Sequence, residues 1–341
     1  MNNETRKETQ VLPKDVRCVG ADDLTLSLFE NQYPVQPMGV SYNSYLILDE
    51  KIAVMDSVDA RAADEWLAKL AHELDGRSPD YLVISHMEPD HSGSILRLAE
   101  KYQEMKLVGN TKTFTMLRQF FGAKAPTDDR LLEVGEGETL PLGAHTLHFM
   151  LAPMVHWPEV MVAYEETEKL LFSADAFGRF GALSRTAGAP WAPQARRYYY
   201  NIVGKYGAQV QALLKKASAL EIKTVCPLHG PVLTGEALGE ALRLYDLWSR
   251  WQSESPDDIL LAHASIHGNT ARAAELFKQK LEAKGARVTL CDLTTTEVSY
   301  AVANAFCCGK LVLACSTYDG GLFPPMEEFL SHLQAKGFRD R

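Results

Sequence analysis

The stretch Tyr81 to His91, YLVISHMEPDH, constrains this chain more than any other. Its first half is a short continuous apolar run, the pattern of a strand buried on both faces of a sheet. Its second half packs four groups that can bind metal, His86, Glu88, Asp90 and His91, into six positions. The loop at the carboxyl end of such a strand is where α/β folds present ligands. Burying two carboxylates and two imidazoles in one tight loop is costly unless a cation compensates. A solvated polar loop is the plain alternative, and three further segments weigh against it. They are Val155-His156-Trp157-Pro158, Ser173-Ala174-Asp175-Ala176 and Pro227-Leu228-His229-Gly230, each at or just after an apolar run (HFMLAPMV, KLLFSA, TVCPL). Taken singly, each is an ordinary strand-end polar residue. Taken together, they form a set delivered toward one edge.

The rest of the chain alternates strands and helices. SYNSYLIL and KIAVMDS read as two strands joined at Asp49-Glu50, with one half-buried face. ARAADEWLAKLAHELDG has helical spacing and a Gly76 stop. A helix from about Ser94, the strand KLVGN and a helix over Thr113–Phe121 follow. From Arg130 to Phe172 several strands are separated by turns, and a long helix is predicted over Arg196–Ala219, before TVCPL. This mixed order predicts an α/β sandwich of αββα type rather than a purely parallel sheet. SESPDD at 253–258 reads as a linker. Beyond it come three βα units: ILLAHAS, ARVTLCDL and KLVLACS, each followed by a helical segment. That rhythm marks a doubly wound parallel sheet. The predicted domains are 1–252 and 258–341 with a linker at 253–257, two domains being what 341 residues suggest.

At this point the residues resemble a known family. HxExDH, then a distant His in HWPE, Asp in FSADAFG and His in HGPV, together with GVSYNSYLI and RRYYYNI, resembles the metallo-β-lactamase-like domain of flavodiiron proteins. Hydrolases of that superfamily usually carry HxHxDH; Glu88 here replaces an imidazole by an anion. Four histidines and three carboxylates suit iron, whereas zinc sites lean on His and Cys. The resemblance implies one iron on His86, Glu88 and His156, and another on Asp90, His91 and His229. Asp175 bridges them, for a metal–metal distance of ~3.5–4 Å.

The second domain resembles flavodoxin. Ser265, His267, Gly268, Asn269 and Thr270 follow a strand and open a helix, where backbone N–H groups can hold the phosphate of FMN. Ser316, Thr317, Tyr318, Asp319, Gly320 and Gly321 form the loop that would cover the flavin ring. Helix capping and a simple turn are the plain readings of these two loops. A flavodoxin-like sheet has five strands in the order 2-1-3-4-5. Three are expected here, so the domain reads as incomplete, with KLVLAC as an exposed edge and FMN less well enclosed.

The implied activity is reduction of O2 to water, of NO to nitrous oxide, or of both, with electrons passing from a rubredoxin-like donor through FMN to two iron ions. A head-to-tail homodimer or homotetramer is implied in the same way. Two other readings stand beside it: a flavin-poor, weakly active diiron remnant, and a binuclear metallo-hydrolase. The net charge of −9 argues against nucleic acid. Six irregularly spaced cysteines without a CxxC pair indicate neither a disulfide framework nor a thiolate metal site, and a cytoplasmic protein is expected. Met1 to Val16 is polar and reads as no secretory signal, and no apolar run is long enough to span a membrane. Tyr198, Tyr199 and Tyr200 are expected to divide between core and surface of one helix. His72, His145, His148, His263 and His332 are expected to have no functional role.

Overall fold

The structure, a computed structural model, describes residues 12–339. Residues 1–11 of the polar opening stretch, and 340–341, lie outside it. The chain forms two compact units: Met1–Ala195 with Ala212–Leu242, and Arg196–Gln211 with Arg243–Arg341.

The first unit is built on two six-stranded mixed sheets. One runs in the order Val16–Cys18, Tyr45–Ile47, Ala53–Met55, Tyr81–Val83, Lys106–Gly109, Leu131–Glu133. The other runs Thr139–Pro141, Thr146–Leu151, Met161–Glu165, Leu170–Phe172, Thr224–Cys226, Leu233–Thr234. Alternate residues of each strand meet in a shared core: Tyr45, Ile47, Ala53, Met55, Val83 and Val108 from the first, Leu147, Phe149, Met161, Ala163, Phe172 and Cys226 from the second. This is face-to-face packing of period-2 strands. On the opposite face of the first sheet Val54, Leu82 and Leu107 are also fully buried. The hairpin read as half-buried is therefore buried on both faces. Helices such as Ala63–Leu74, which buries Trp66 and Leu70, supply the outer layer of the αββα sandwich. The strands Ala53–Met55, Tyr81–Val83 and Lys106–Gly109 are parallel, so their carboxyl ends share one edge.

The second unit contains a three-stranded parallel sheet in the order Val288–Asp292, Ser255–Ala264, Cys308–Cys315. Helices Asn269–Glu282, Val298–Cys307 and Pro324–Ala335 accompany it. Numbered along the chain the strand order is 2-1-3, the start of the flavodoxin-like winding. The segment expected as a linker contributes to its central strand. Ser255 pairs with Cys308, and the register shifts before Ile259, so Pro256 occupies an irregular stretch where a missing N–H is tolerated.

The expected continuous helix over Arg196–Ala219 is broken. α-Helix Trp191–Tyr198 passes into a π turn over Tyr199–Val203, a 3₁₀ turn over Gly204–Tyr206 and α-helix Gly207–Ala217. The wider turn changes the angle between successive side chains. Tyr198, Tyr199 and Tyr200 are all fully buried, none on the surface. Tyr199 packs on Tyr245 and Trp248, and Tyr200 stacks on Phe306 with centroids 4.0 Å apart. No helix among the described residues is long and apolar enough to cross a membrane.

Candidate metal centre

Strand Tyr81–Val83 ends against Asp56, which terminates the neighbouring strand. Asp56 Oδ1 accepts hydrogen bonds from Ser85 N at 2.7 Å and His86 N at 3.3 Å. Glu88 then starts a short helical turn, Pro89–Ser92, with proline at its first position. The segment read as a loop is thus partly helical. His91 N and Ser92 N donate to Glu88 O at 2.8 Å each, so Asp90 and His91 project from a closed turn.

His156 lies between strands Thr146–Leu151 and Met161–Glu165, and Asp175 follows Leu170–Phe172. His229 follows Thr224–Cys226 and is braced by the GVSYNSYLI hairpin. Asn43 Nδ2 donates to Pro227 O and Gly230 O at 2.8 and 2.7 Å, and Tyr45 OH donates to Pro227 O at 2.8 Å. His229 Nδ1 donates to Ser41 O at 2.6 Å. Gly230 needs its positive φ of 80°, and a Cβ there would sit 2.6 Å from Arg179 Cγ.

These elements bring all seven predicted residues together in two groups, His86–Glu88–His156–Asp175 and Asp90–His91–His229. Within each group the candidate ligand atoms lie within 4.8 Å of one another. In the first, His156 Nε2 is 3.1 Å from Glu88 Oε2 and 3.0 Å from Asp175 Oδ2. In the second, His91 Nε2 and His229 Nε2 are 3.3 and 3.2 Å from Asp90 Oδ2. Asp175 Oδ1 faces this second group, 3.2 Å from His91 Nε2.

The donor set fits two cations. Asp90 Oδ1 and Oδ2 and Asp175 Oδ1 are buried and make no hydrogen bond among the described residues. Three facing carboxylates and four imidazoles leave a negative pocket that divalent ions would neutralise. That field acts on the side chains themselves. Burial disfavours the imidazolium of His156, yet Asp175 and Glu88 outweigh it and raise its pKa to about 9. Burial opposes the charge on His86 and His91 too, and nearby carboxylates raise both. Burial would lift Asp175, but His91, His86 and His156 hold it well below the usual carboxylate range. The histidines likewise depress Glu88 against its burial.

Several groups support these side chains. Glu159, the last residue of HWPE, accepts from His86 Nδ1 and from Met87 N, both at 2.8 Å. Trp157 stands edge-on to His86 at 5.3 Å, and Phe29 edge-on to His229 at 5.3 Å. Glu30, in the turn before strand Tyr33–Pro34, is an exposed neighbour of Phe29.

In the second unit the two predicted flavin loops also meet. Ser265 to Thr270 follow the central strand, and Gly268, with φ 82°, precedes helix Asn269–Glu282. Thr270 Oγ1 and Ser316 Oγ are 3.0 Å apart, and Ser316 N donates to Ala264 O. Thr317–Tyr318 pairs with Gly321–Leu322 in a tight hairpin around Asp319 and Gly320. In the first unit, His145 Nδ1 lies 3.1 Å from Glu165 Oε1.

The fold defines a metallo-β-lactamase-like protein, and it gathers two neighbouring imidazole–carboxylate groups that could each hold a metal ion. Residues 40–230 match the model of the ODP family beta lactamase, and the chain belongs to that family. It is 29% identical over 331 residues to a rubredoxin-oxygen oxidoreductase of Megalodesulfovibrio gigas, covering 94% of this chain and 80% of that protein. It is 27% identical to a nitric oxide reductase of Moorella thermoacetica, covering 92% and 79%. The crystal structure of the flavodiiron protein from Giardia intestinalis superposes with a TM-score of 0.88 at 29% identity, over 95% of this chain and 79% of that one.

Proposed function

We propose that this chain is a flavodiiron oxidoreductase that reduces O2, NO or both, with His86, Glu88, His156, Asp90, His91 and His229 holding two iron ions and Asp175 between them. The observation that carries the reading is the two-sided Asp175 carboxylate, one oxygen toward each group. Two iron ions held there would supply electrons, replenished through FMN, for reduction of a diatomic gas. The chain's own residues orient and shield. Glu88 in place of a histidine adds an anion that favours iron over zinc. Trp157 and Phe29 set aromatic edges against His86 and His229.

FMN belongs to the same proposal, seated on Ser265, His267, Gly268, Asn269 and Thr270 for its phosphate and on Ser316 to Gly321 for its ring. Three features support that seat: a helix N-terminus entered through a left-handed glycine, a buried Ser265 Oγ without a hydrogen-bond partner among the described residues, and a half-exposed Tyr318. A rubredoxin-like donor, a head-to-tail homo-oligomer and a cytoplasmic setting complete the reading. The names of the relatives support the donor and the gases, and six free cysteines agree with a reducing compartment.

The test is metal and flavin analysis of freshly purified protein, with O2 and NO consumption measured with reduced rubredoxin, with and without added FMN. Two irons, flavin bands and turnover of either gas are expected. Iron without flavin, and no stimulation by added FMN, would instead identify a diiron domain that cannot be reduced rapidly. Zinc with hydrolytic activity and no gas consumption would overturn the oxidoreductase reading.

A further inference from the structure

Three of the four histidines have a defined environment at the ring nitrogen turned away from the centre, and the three differ. His86 Nδ1 donates to the Glu159 carboxylate at 2.8 Å. His229 Nδ1 donates to a neutral carbonyl, Ser41 O, at 2.6 Å. His91 Nδ1 is buried and makes no hydrogen bond among the described residues. An imidazole whose outer N–H is held by a carboxylate is a more basic, better-oriented metal ligand than one held by a carbonyl or by nothing.

We infer that Glu159 makes the two halves of the centre unequal, so that the His86–Glu88–His156 half takes its ion first and holds it more tightly than the Asp90–His91–His229 half. The inference rests on the metal-centre reading above. Glu159 is 1% exposed, and its oxygen Oε1 receives both His86 Nδ1–H and Met87 N–H. Its other oxygen, Oε2, is buried with no hydrogen-bond partner among the described residues, so no further donor draws on its charge. The backbone of Glu159 is itself fixed, because Asn110 Nδ2 donates to its carbonyl at 2.7 Å. Glu159 therefore adds an anion directly behind one ligand of the first half. In the other half His229 Nδ1 meets the Ser41 carbonyl, and the buried Asp56 near His91 turns Oδ1 to the N–H groups of Ser85 and His86 rather than to His91 Nδ1. The bond from Met87 N to Glu159 also ties the loop carrying Glu88 to the segment carrying His156.

The experiment is stepwise binding of Co(II) to metal-free full-length protein, followed by chelator competition and by NMR of the exchangeable, hyperfine-shifted ring N–H signals. Wild type is expected to bind two ions in two resolved steps. The first equivalent should produce a slowly exchanging N–H signal assignable to His86. Glu159→Gln keeps an acceptor for both donors but removes the charge. It is expected to weaken the first step by about 10–100-fold, leave the second unchanged and move the His86 signal. Glu159→Ala should abolish that signal. Equal steps in wild type, or equal weakening of both steps in Glu159→Gln, would overturn the inference while leaving two-ion binding intact. The wild-type titration and signal assignment decide the matter even if a variant fails to fold. Failure of wild type to bind two ions would remove the metal-centre reading itself, and the inference with it.

Discussion

The carboxylate of Asp175 meets the imidazole of His156 at 3.0 Å, Oδ2 to Nε2, while its other oxygen is turned to the second group of ligands. One side chain thus faces both groups. Asp175→Ala is expected to weaken metal binding at both halves, each by more than the ~10–100-fold typical of losing an outer-shell partner. Metal content by elemental analysis, with chelator competition, checks this. Loss from one half alone would deny Asp175 its bridging place.

Glu88 decides the charge of the first half. Replacing it by His restores the HxHxDH pattern and removes one anion from a group where Glu88 Oε2 lies 3.3 Å from His86 Nε2. Glu88→His is expected to shift the retained metal from iron toward zinc. Loading with equimolar Fe(II) and Zn(II) under anaerobic conditions measures the ratio. An unchanged ratio, with O2 consumption intact, would show that ligand charge does not select the metal.

Proton competition sets the pH dependence. The pKa of His156 is raised from 6.5 to about 9, burial opposing and the carboxylates of Asp175 and Glu88 prevailing. A raised pKa stabilises the metal-free fold fully below pH 6.5, and that contribution is lost as pH rises through about 9. An incoming ion needs the neutral imidazole and must displace that proton. The metal-free protein should therefore lose stability from pH 6.5 to 9 while metal affinity rises over the same range. Calorimetric titration in buffers of different ionisation enthalpy should show proton release on binding. Affinity that levels off near pH 6.5 would contradict the raised value.

The candidate ligands were legible because each lies at or just beyond the end of an apolar run, which local pattern reads as a strand. Their outer partners were not. Asp56 is separated from Ser85 by 29 positions and Glu159 from His86 by 73, and only the tertiary fold makes them neighbours. The same limit hid the π turn. Three adjacent tyrosines satisfy a helical pattern, and nothing local says that Tyr199 and Tyr200 will both find aromatic partners inside. Ser255 and Pro256 were misread for the opposite reason. Turn-forming residue types dominated a segment whose neighbour, Cys308, nonetheless pairs with it.

His145 and Glu165 give a prediction away from the metal centre. Their side chains are 5% and 0% exposed, with Nδ1 and Oε1 3.1 Å apart. The bond to Glu165 raises the His145 pKa above 6.5 against its burial. Burial would raise Glu165, but His145 and the N–H groups of Glu168 and Thr167 bring it below 4.5. The histidine's contribution to stability is complete below pH 6.5 and fades as pH rises through its folded value. The carboxylate's is complete above pH 4.5 and fades as pH falls through its own. Both are complete together only between pH 4.5 and 6.5. His145→Gln should cost ~1–3 kcal/mol within that window, by leaving the buried Glu165 carboxylate without its cationic neighbour, and less on the alkaline side. Urea unfolding of both forms across this range checks it, and a deficit that grows toward alkaline pH would rule out the charged pair.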